Sequence, residues 1–153
     1  MNARYITKAA VIAVLYVVLT DVMGLLSFNP LQIRLSEGLT ILPLIEPAAI
    51  PGLFVGCLLA NLQSPFGIID ILGGSLVTLT AAYLTSRAKN FWMGALPPII
   101  LNSLFVSIWV SYFAKTPYLI TAVGIAVGEG VSVIVFGYVI YNIYKNISDN
   151  YLK

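Results

Sequence analysis

Long apolar runs separated by short polar segments fill the chain, and most of them are long enough to cross a membrane as a helix. Such a helix needs roughly 20 mostly apolar residues. The runs predict six helices at about 5–26, 36–45, 48–62, 68–86, 91–114 and 118–144. The pattern therefore predicts an all-α membrane protein, with residues 1–153 forming one transmembrane bundle.

The second run is the exception, because ten residues in an α-helix rise only about 15 Å, half the hydrocarbon thickness. Either this helix begins earlier, in the loop before residue 36, or it is a half-helix buried against its neighbours. Pro43, Pro47 and Pro51 predict breaks or kinks in this region. A short, interrupted segment of this kind indicates a binding site.

The composition indicates a protein embedded in the lipid bilayer, since 59% of its residues are hydrophobic, 9% are charged and the mean hydropathy is +0.96. A soluble domain carries roughly 25% charged residues. Six crossings place both termini on one side. That side carries most of the basic residues, which predicts that it is cytoplasmic. These residues are Arg4, Lys8, Arg87, Lys89, Lys145 and Lys153, whereas Arg34 and Lys115 lie on the outer side.

Several kinds of chemistry are missing from the sequence. It has no histidine, one cysteine and no phosphate-binding GxxxxGK[ST] loop. These absences argue against an enzyme, a metal centre, a bound cofactor and ATP hydrolysis by the chain itself. The net charge of +2 is too small to indicate nucleic-acid binding. Uphill transport would then draw on an ion gradient or on a partner.

Three of the acidic residues within or beside apolar runs are Glu129, Asp70 and Asp21. Glu129 lies deep in the sixth run, where an ionised carboxylate is costly and a functional role is the first hypothesis. The alternative is a protonated or paired glutamate that holds helices together. Asp70, at the start of the fourth run, could instead cap its helix. Asp21, late in the first run, is intermediate between Glu129 and Asp70 in how strongly its position indicates a functional role.

The outer loop before the second run is unusually polar, with Gln32, Arg34, Ser36 and Glu37 between apolar residues. One interpretation is structural: Ser36 caps the next helix and Arg34 pairs with Glu37. The other is a loop that folds over a bound solute and supplies hydrogen-bond donors and acceptors.

The fifth run carries Asn102, Phe105 and Trp109 at spacings that place them on one face of an α-helix. An amide, a phenyl ring and an indole on one stripe could bind and stack a flat heteroaromatic ring. Asn61, near the outer end of the third run, could join the same cavity. Packing alone is the competing explanation.

Small residues form a strip on the first run, made of Ala9, Ala10 and Ala13. The Ala9-xxx-Ala13 spacing leaves a smooth surface that another helix can approach closely.

The segment PLQIRLSEGLTILPLIEPAAIPGLFVGCLLANL, followed by GIIDILGGSLVTLTAAYL, resembles the QueT family of queuosine-precursor transporters. These are substrate-binding S components of energy-coupling factor (ECF) transporters. The resemblance covers nearly the whole chain. It implies a six-helix S-component fold with cytoplasmic termini, and a queuosine precursor such as 7-aminomethyl-7-deazaguanine bound in the outer half. It also implies two ATPase subunits and a coupling transmembrane subunit, which docks on the strip of Ala9, Ala10 and Ala13.

The chemistry of a 7-deazaguanine suggests a role for each candidate residue. Glu129 would accept the two-donor edge of the ring. Asn102 or Asn61 would answer the carbonyl, and Trp109 or Phe105 would stack. Glu37 or Asp70 would meet the ammonium group, with Arg34 and Gln32 closing the loop.

Two alternatives stay open from the sequence. The chain could be an S component for another vitamin. It could also be a stand-alone transporter that uses Glu129 and Asp21 as proton carriers.

Overall fold

The computed structural model describes residues 2–24 and 33–151, with side chains described through residue 147. Within these ranges the protein is all-helical, with six helices. In chain order they are Ala3–Met23, Leu35–Leu44, Ala49–Gln63, residues 68–85, Phe91–Ala114 and residues 118–151. The first helix ends at Gly24, whose φ of +50° leaves the helical region. The predicted extension to residue 26 lies outside the described residues.

Three of these helices are long and apolar enough to cross a membrane: Ala3–Met23, Phe91–Ala114 and Tyr118–Ile147. Their outward faces are apolar, and Leu119, for example, is 74% exposed. The carboxylates of Glu37, Asp70 and Glu129, by contrast, are buried inside the bundle. An apolar exterior around a polar interior is the arrangement expected when lipid is the solvent. The prediction of a membrane protein is therefore confirmed.

The second helix, Leu35–Leu44, is a 3-10 helix that lies inside the bundle, with residues 36–43 all buried. At about 2.0 Å per residue it spans about 20 Å, which is longer than an α-helix of ten residues. Of the two alternatives for this segment, the structure agrees with a short helix buried against its neighbours. Pro43 lies inside this helix and does not interrupt it. A Cβ added at Gly38 would lie 2.9 Å from the Phe136 Cβ, so this helix touches the sixth helix closely.

Wide π-helical turns interrupt the fourth, fifth and sixth helices at Asp70–Gly74, Asn102–Val106 and Ser132–Phe136. Each turn begins at a buried polar residue. A π turn holds an extra residue, so it shifts which later side chains point inward, and it frequently occurs at a functional site. The three turns therefore bring polar side chains from three helices towards the centre of the bundle.

The alanine strip of the first helix lies against the third helix. A Cβ added at Gly52 would lie 2.7 Å from the Ala9 carbonyl oxygen, and one added at Gly56 would lie 3.0 Å from that of Ala13. Ala13 is buried and Ala9 is half-buried, whereas Ala10 is exposed. Small residues on both helices permit this close packing. The strip therefore pairs with Gly52-xxx-Gly56 inside the bundle, and Ala10 alone of the three faces outward.

Candidate binding site

A cluster of buried polar side chains encloses a small cavity in the bundle. The cavity measures about 10 Å³, close to the space that one water molecule occupies. Its lining residues come from the second to the sixth helix, together with the residue that precedes the second helix. They are Arg34, Glu37, Cys57, Asn61, Asp70, Gly74, Thr78, Asn102, Val106 and Glu129.

Glu129 and Asn102 meet across the fifth and sixth helices. The Asn102 Nδ2 donates to Glu129 Oε1 at 2.6 Å. The other carboxylate oxygen, Oε2, is buried and has no hydrogen-bond partner among the described residues. A buried acceptor without a partner is costly, so this oxygen is available for a donor that enters the cavity.

Glu37, on the second helix, also lines the cavity and is bonded through one carboxylate oxygen. The Tyr16 hydroxyl of the first helix donates to Glu37 Oε1, and both side chains are buried. Glu37 Oε2 has no partner within the described part of the chain. A 2.8 Å hydrogen bond from the Thr20 hydroxyl to the Ser36 hydroxyl joins the first helix to the second next to this pair. Ser36 is thus a buried contact within the second helix, and not the cap that the structural interpretation expected.

Arg34 lies just before the second helix and is buried. Its backbone N–H donates to Ser132 Oγ at 3.2 Å, at the π turn of the sixth helix. Its Nη1 donates to Asn61 Oδ1 at 3.4 Å. Asn61 in turn donates from Nδ2 to the Asp70 carbonyl at 2.9 Å and to Cys57 Sγ at 3.4 Å. Arg34 and Asn61 therefore connect the start of the second helix to the third and fourth helices.

Asp70 is bonded through both carboxylate oxygens. Ser64 Oγ donates to Oδ2 at 2.6 Å, and Trp109 Nε1 donates to Oδ1 at 3.0 Å. Asp70 therefore joins the loop before the fourth helix to the fifth helix, and each of its oxygens already accepts one hydrogen bond. Trp109 lies behind Asp70 and does not line the cavity.

Phe105 lies outside the cluster, which is a correction. It is half exposed on the outer surface of the bundle, whereas Asn102 and Trp109 are buried. The reason is the π turn at Asn102–Val106, which turns Val106 inward in place of Phe105. The predicted common face thus holds for Asn102 and Trp109 and is wrong for Phe105. Gln32 lies outside the described residues.

The sequence analysis did not identify Tyr16, Ser132 and Thr78 as members of the cluster. Thr78 Oγ1 donates to Cys57 Sγ at 3.4 Å, which also brings the single cysteine into the lining. A signal for Tyr16 was present, since Ala13, Tyr16 and Thr20 recur at helical spacing and are all buried.

A second polar cluster closes the other end of the bundle around Glu46, in the turn between the second and third helices. Lys8 Nζ and the Tyr144 hydroxyl each donate to Glu46 Oε2 at 2.5 Å. The Ala48 N–H donates to Oε1 at 3.1 Å. Burial opposes ionisation of Glu46, but these hydrogen bonds outweigh it and lower the pKa of the carboxyl group. The cluster ties the start of the first helix to the end of the sixth.

A family model described as QueT transporter matches residues 6–146. A curated protein from Lactococcus lactis subsp. cremoris (strain MG1363), named queuosine precursor transporter QueT, is 28% identical over an alignment that covers 93% of each chain. No solved structure gives a significant match.

Proposed function

Because the chain belongs to the QueT transporter family, we propose that it is the substrate-binding S component of an ATP-driven ECF importer. We propose a queuosine precursor such as 7-aminomethyl-7-deazaguanine as its substrate. The family match confirms the resemblance read from the sequence and the prediction of a transporter rather than an enzyme. The name of the curated relative supports this class of substrate.

The observation that carries the proposal is the unpartnered Glu129 Oε2 in the polar cavity. A 7-deazaguanine presents a ring N–H and an exocyclic amine side by side. A carboxylate can accept both through charge-assisted hydrogen bonds. Asn102 already holds the other oxygen of Glu129, so the carboxylate is fixed in place before the ligand arrives. This favours Glu129 as the acceptor for the two-donor edge.

Asn102 is the better of the two candidate amides for the ring carbonyl. Its Nδ2 carries a second N–H beside the one that bonds Glu129. Both N–H groups of Asn61 donate within the cluster, to Asp70 and Cys57. We therefore assign carbonyl recognition to Asn102, and we assign Asn61, Asp70 and Trp109 to holding the site together.

Binding requires the site to open. The enclosed space of about 10 Å³ is far below the roughly 300 Å³ of a small-molecule pocket. We propose that Arg34 and the start of the second helix move away from Asn61 and Ser132 to admit the ligand. The hydrogen bonds from Arg34 to these two residues measure 3.2–3.4 Å, at or just beyond the long end of the usual range. The predicted closing role of Arg34 fits this motion.

A stand-alone proton-coupled transporter is less well supported. The acid predicted to share the proton pathway with Glu129 was Asp21. Asp21 lies on the exposed end of the first helix, where it accepts a 2.7 Å hydrogen bond from Gln63. It does not line the cavity. An S component for another vitamin differs from our proposal only in the ligand, so binding of 7-aminomethyl-7-deazaguanine by the purified protein separates the two.

We propose that both termini are cytoplasmic. The Glu46 cluster supports placing both termini on one side, because it joins the start of the first helix to the end of the sixth, and the excess of basic residues on that side favours the cytoplasm. Lys115 in the turn after the fifth helix then faces outward, and Lys89 faces the cytoplasm. We expect Lys115→Cys to react with an impermeant thiol reagent in intact cells, and Lys89→Cys to react only after permeabilisation. The parent, whose Cys57 is buried, is the control, and labelling of Lys89→Cys from outside would contradict the orientation.

A matched pair of alanines tests the proposed partners, a coupling transmembrane subunit and two ATPases. Ala10 is exposed, whereas Ala13 packs against Gly56. We expect Ala10→Trp to retain ligand binding as a purified protein but to lose uptake that depends on co-expressed ATPases. Ala13→Trp should lose both, because overpacking disrupts the bundle. Uptake by the parent without the ATPases, or normal uptake by Ala10→Trp, would count against this docking face.

A further inference from the structure

The cavity contains two carboxylates that each keep one oxygen without a partner among the described residues. Glu129 lies on the sixth helix and Glu37 on the second. The proposed function uses Glu129 for the two-donor edge of the ring. Burying another carboxylate whose second oxygen accepts no hydrogen bond costs folding free energy, and Arg34, which shares the cavity lining, brings a positive charge but no hydrogen bond to that oxygen. A ligand that brings an N–H donor into the cavity would satisfy this oxygen of Glu37.

Position is what singles out Glu37 from the other acids of the described chain. Asp70 accepts at both oxygens, from Ser64 and Trp109. Glu46 is held at the opposite end of the bundle by Lys8 and Tyr144. Asp21 lies on the surface. Among the acids whose side chains are described and that are not assigned to the ring edge, Glu37 alone combines burial, a place in the cavity lining and an oxygen without a hydrogen-bond partner.

Its free oxygen is also oriented. The Tyr16 hydroxyl binds Oε1, and Tyr16 itself is fully buried in the first helix. The hydrogen bond between Thr20 and Ser36 fixes the two helices beside it. The carboxylate is thus held on one side and open on the other, which makes Tyr16 a positioning residue for Glu37.

The charges that line the cavity favour a cationic ligand. Three carboxylates, Glu37, Asp70 and Glu129, share the lining with one basic side chain, Arg34. An ammonium group carries three N–H donors and a positive charge. It can therefore donate a hydrogen bond to Glu37 Oε2 and balance the excess of acidic groups in the lining. A neutral substituent such as a nitrile has no N–H donor to offer.

We infer that Glu37, held by Tyr16, is a cation subsite, and that the protein selects 7-deazaguanines with a positively charged substituent at position 7 over neutral ones. This inference rests on the proposed function, because it assumes that the ring occupies this cavity. It adds a selectivity that the family assignment does not contain.

Calorimetry on the purified protein with two ligands tests the inference. One ligand is cationic 7-aminomethyl-7-deazaguanine and the other is neutral 7-cyano-7-deazaguanine. We expect the parent to bind the cationic ligand at least about tenfold more tightly, as one charge-assisted hydrogen bond would give. Glu37→Gln should weaken binding of the cationic ligand by roughly 10- to 100-fold and that of the neutral ligand by less than about threefold. Tyr16→Phe should shift the same ratio in the same direction by a smaller factor.

Binding of the neutral ligand serves as the internal check that each variant is folded, and Glu46→Gln is the matched control outside the site. Equal affinity of the parent for the two ligands would overturn the inference and leave the proposed function standing. Equal weakening of both ligands by Glu37→Gln would do the same. If the parent binds neither ligand, the proposed function fails, and the inference fails with it.

Discussion

We expect Glu129→Gln to weaken binding of 7-aminomethyl-7-deazaguanine by roughly 30- to 1000-fold, or about 2–4 kcal/mol. The substitution keeps the shape of the side chain but removes its charge. It also replaces one acceptor oxygen with an N–H donor. Asn102 Nδ2 already donates to one end of this group at 2.6 Å. The amide oxygen would therefore turn towards Asn102, and its N–H groups would face the two ligand donors.

The control for this experiment is Asp21→Asn, which makes the same chemical change at the surface end of the first helix. We expect this variant to bind and transport like the parent, whereas a proton-coupled carrier that uses Asp21 would lose uptake. Calorimetry on folded, purified variants measures the difference in affinity. If Glu129→Gln binds like the parent, the carboxylate is a structural partner of Asn102, and the ring edge would have to be assigned to Glu37.

Much of the candidate site could be predicted because polar residues are conspicuous in apolar runs. Glu129, Asn102 and Asn61 stand out in the sequence for this reason, and the structure places them around one cavity. The polar segment around Arg34 and Glu37 stands out in the same way. In a membrane protein, burial of a polar side chain needs a partner or a ligand. Such residues are therefore expected to converge.

The parts that the sequence did not predict depend on helix geometry. The α-helical repeat placed Phe105 beside Asn102, but the π turn at Asn102–Val106 moves it to the outer surface. Nothing in the local residue pattern distinguishes a π turn from a regular α-helical one. The 3-10 geometry of the second helix is likewise set by its surroundings, because the helix is buried on nearly every side.

The alanine strip shows a different limit. The spacing of Ala9 and Ala13 predicts a surface for close helix packing, and the structure has that packing. Which helix uses the surface is a tertiary property. Gly52 and Gly56 on the third helix provide the complementary strip, so the packing occurs inside the bundle. The pattern indicated the type of contact correctly, and docking of a coupling subunit on Ala9 and Ala13 stays a prediction.

We expect Arg34→Met to destabilise the protein without ligand by about 3–5 kcal/mol, the usual effect of removing one member of a buried charge group. Arg34 is 5% exposed and is the basic side chain of the cavity lining. Its loss leaves Glu37 and Glu129 near each other without a compensating cation. It also removes the donor to Asn61 Oδ1. Reversible unfolding in detergent measures the change, and Arg87→Met, an exposed arginine that donates to the Tyr83 hydroxyl, is the control.

A double variant separates the electrostatic cause from lost packing. If the uncompensated Glu37 carboxylate is the source of the destabilisation, Arg34→Met combined with Glu37→Gln should be more stable than Arg34→Met alone. The two changes then couple by roughly 0.5–3 kcal/mol, as groups in one network do. Additive effects of the two substitutions would instead show that Arg34 acts through its own packing and its bond to Asn61. In that case Arg34 does not act as the counter-charge of Glu37, and the balance of charge in the cavity would have to be assigned to other groups.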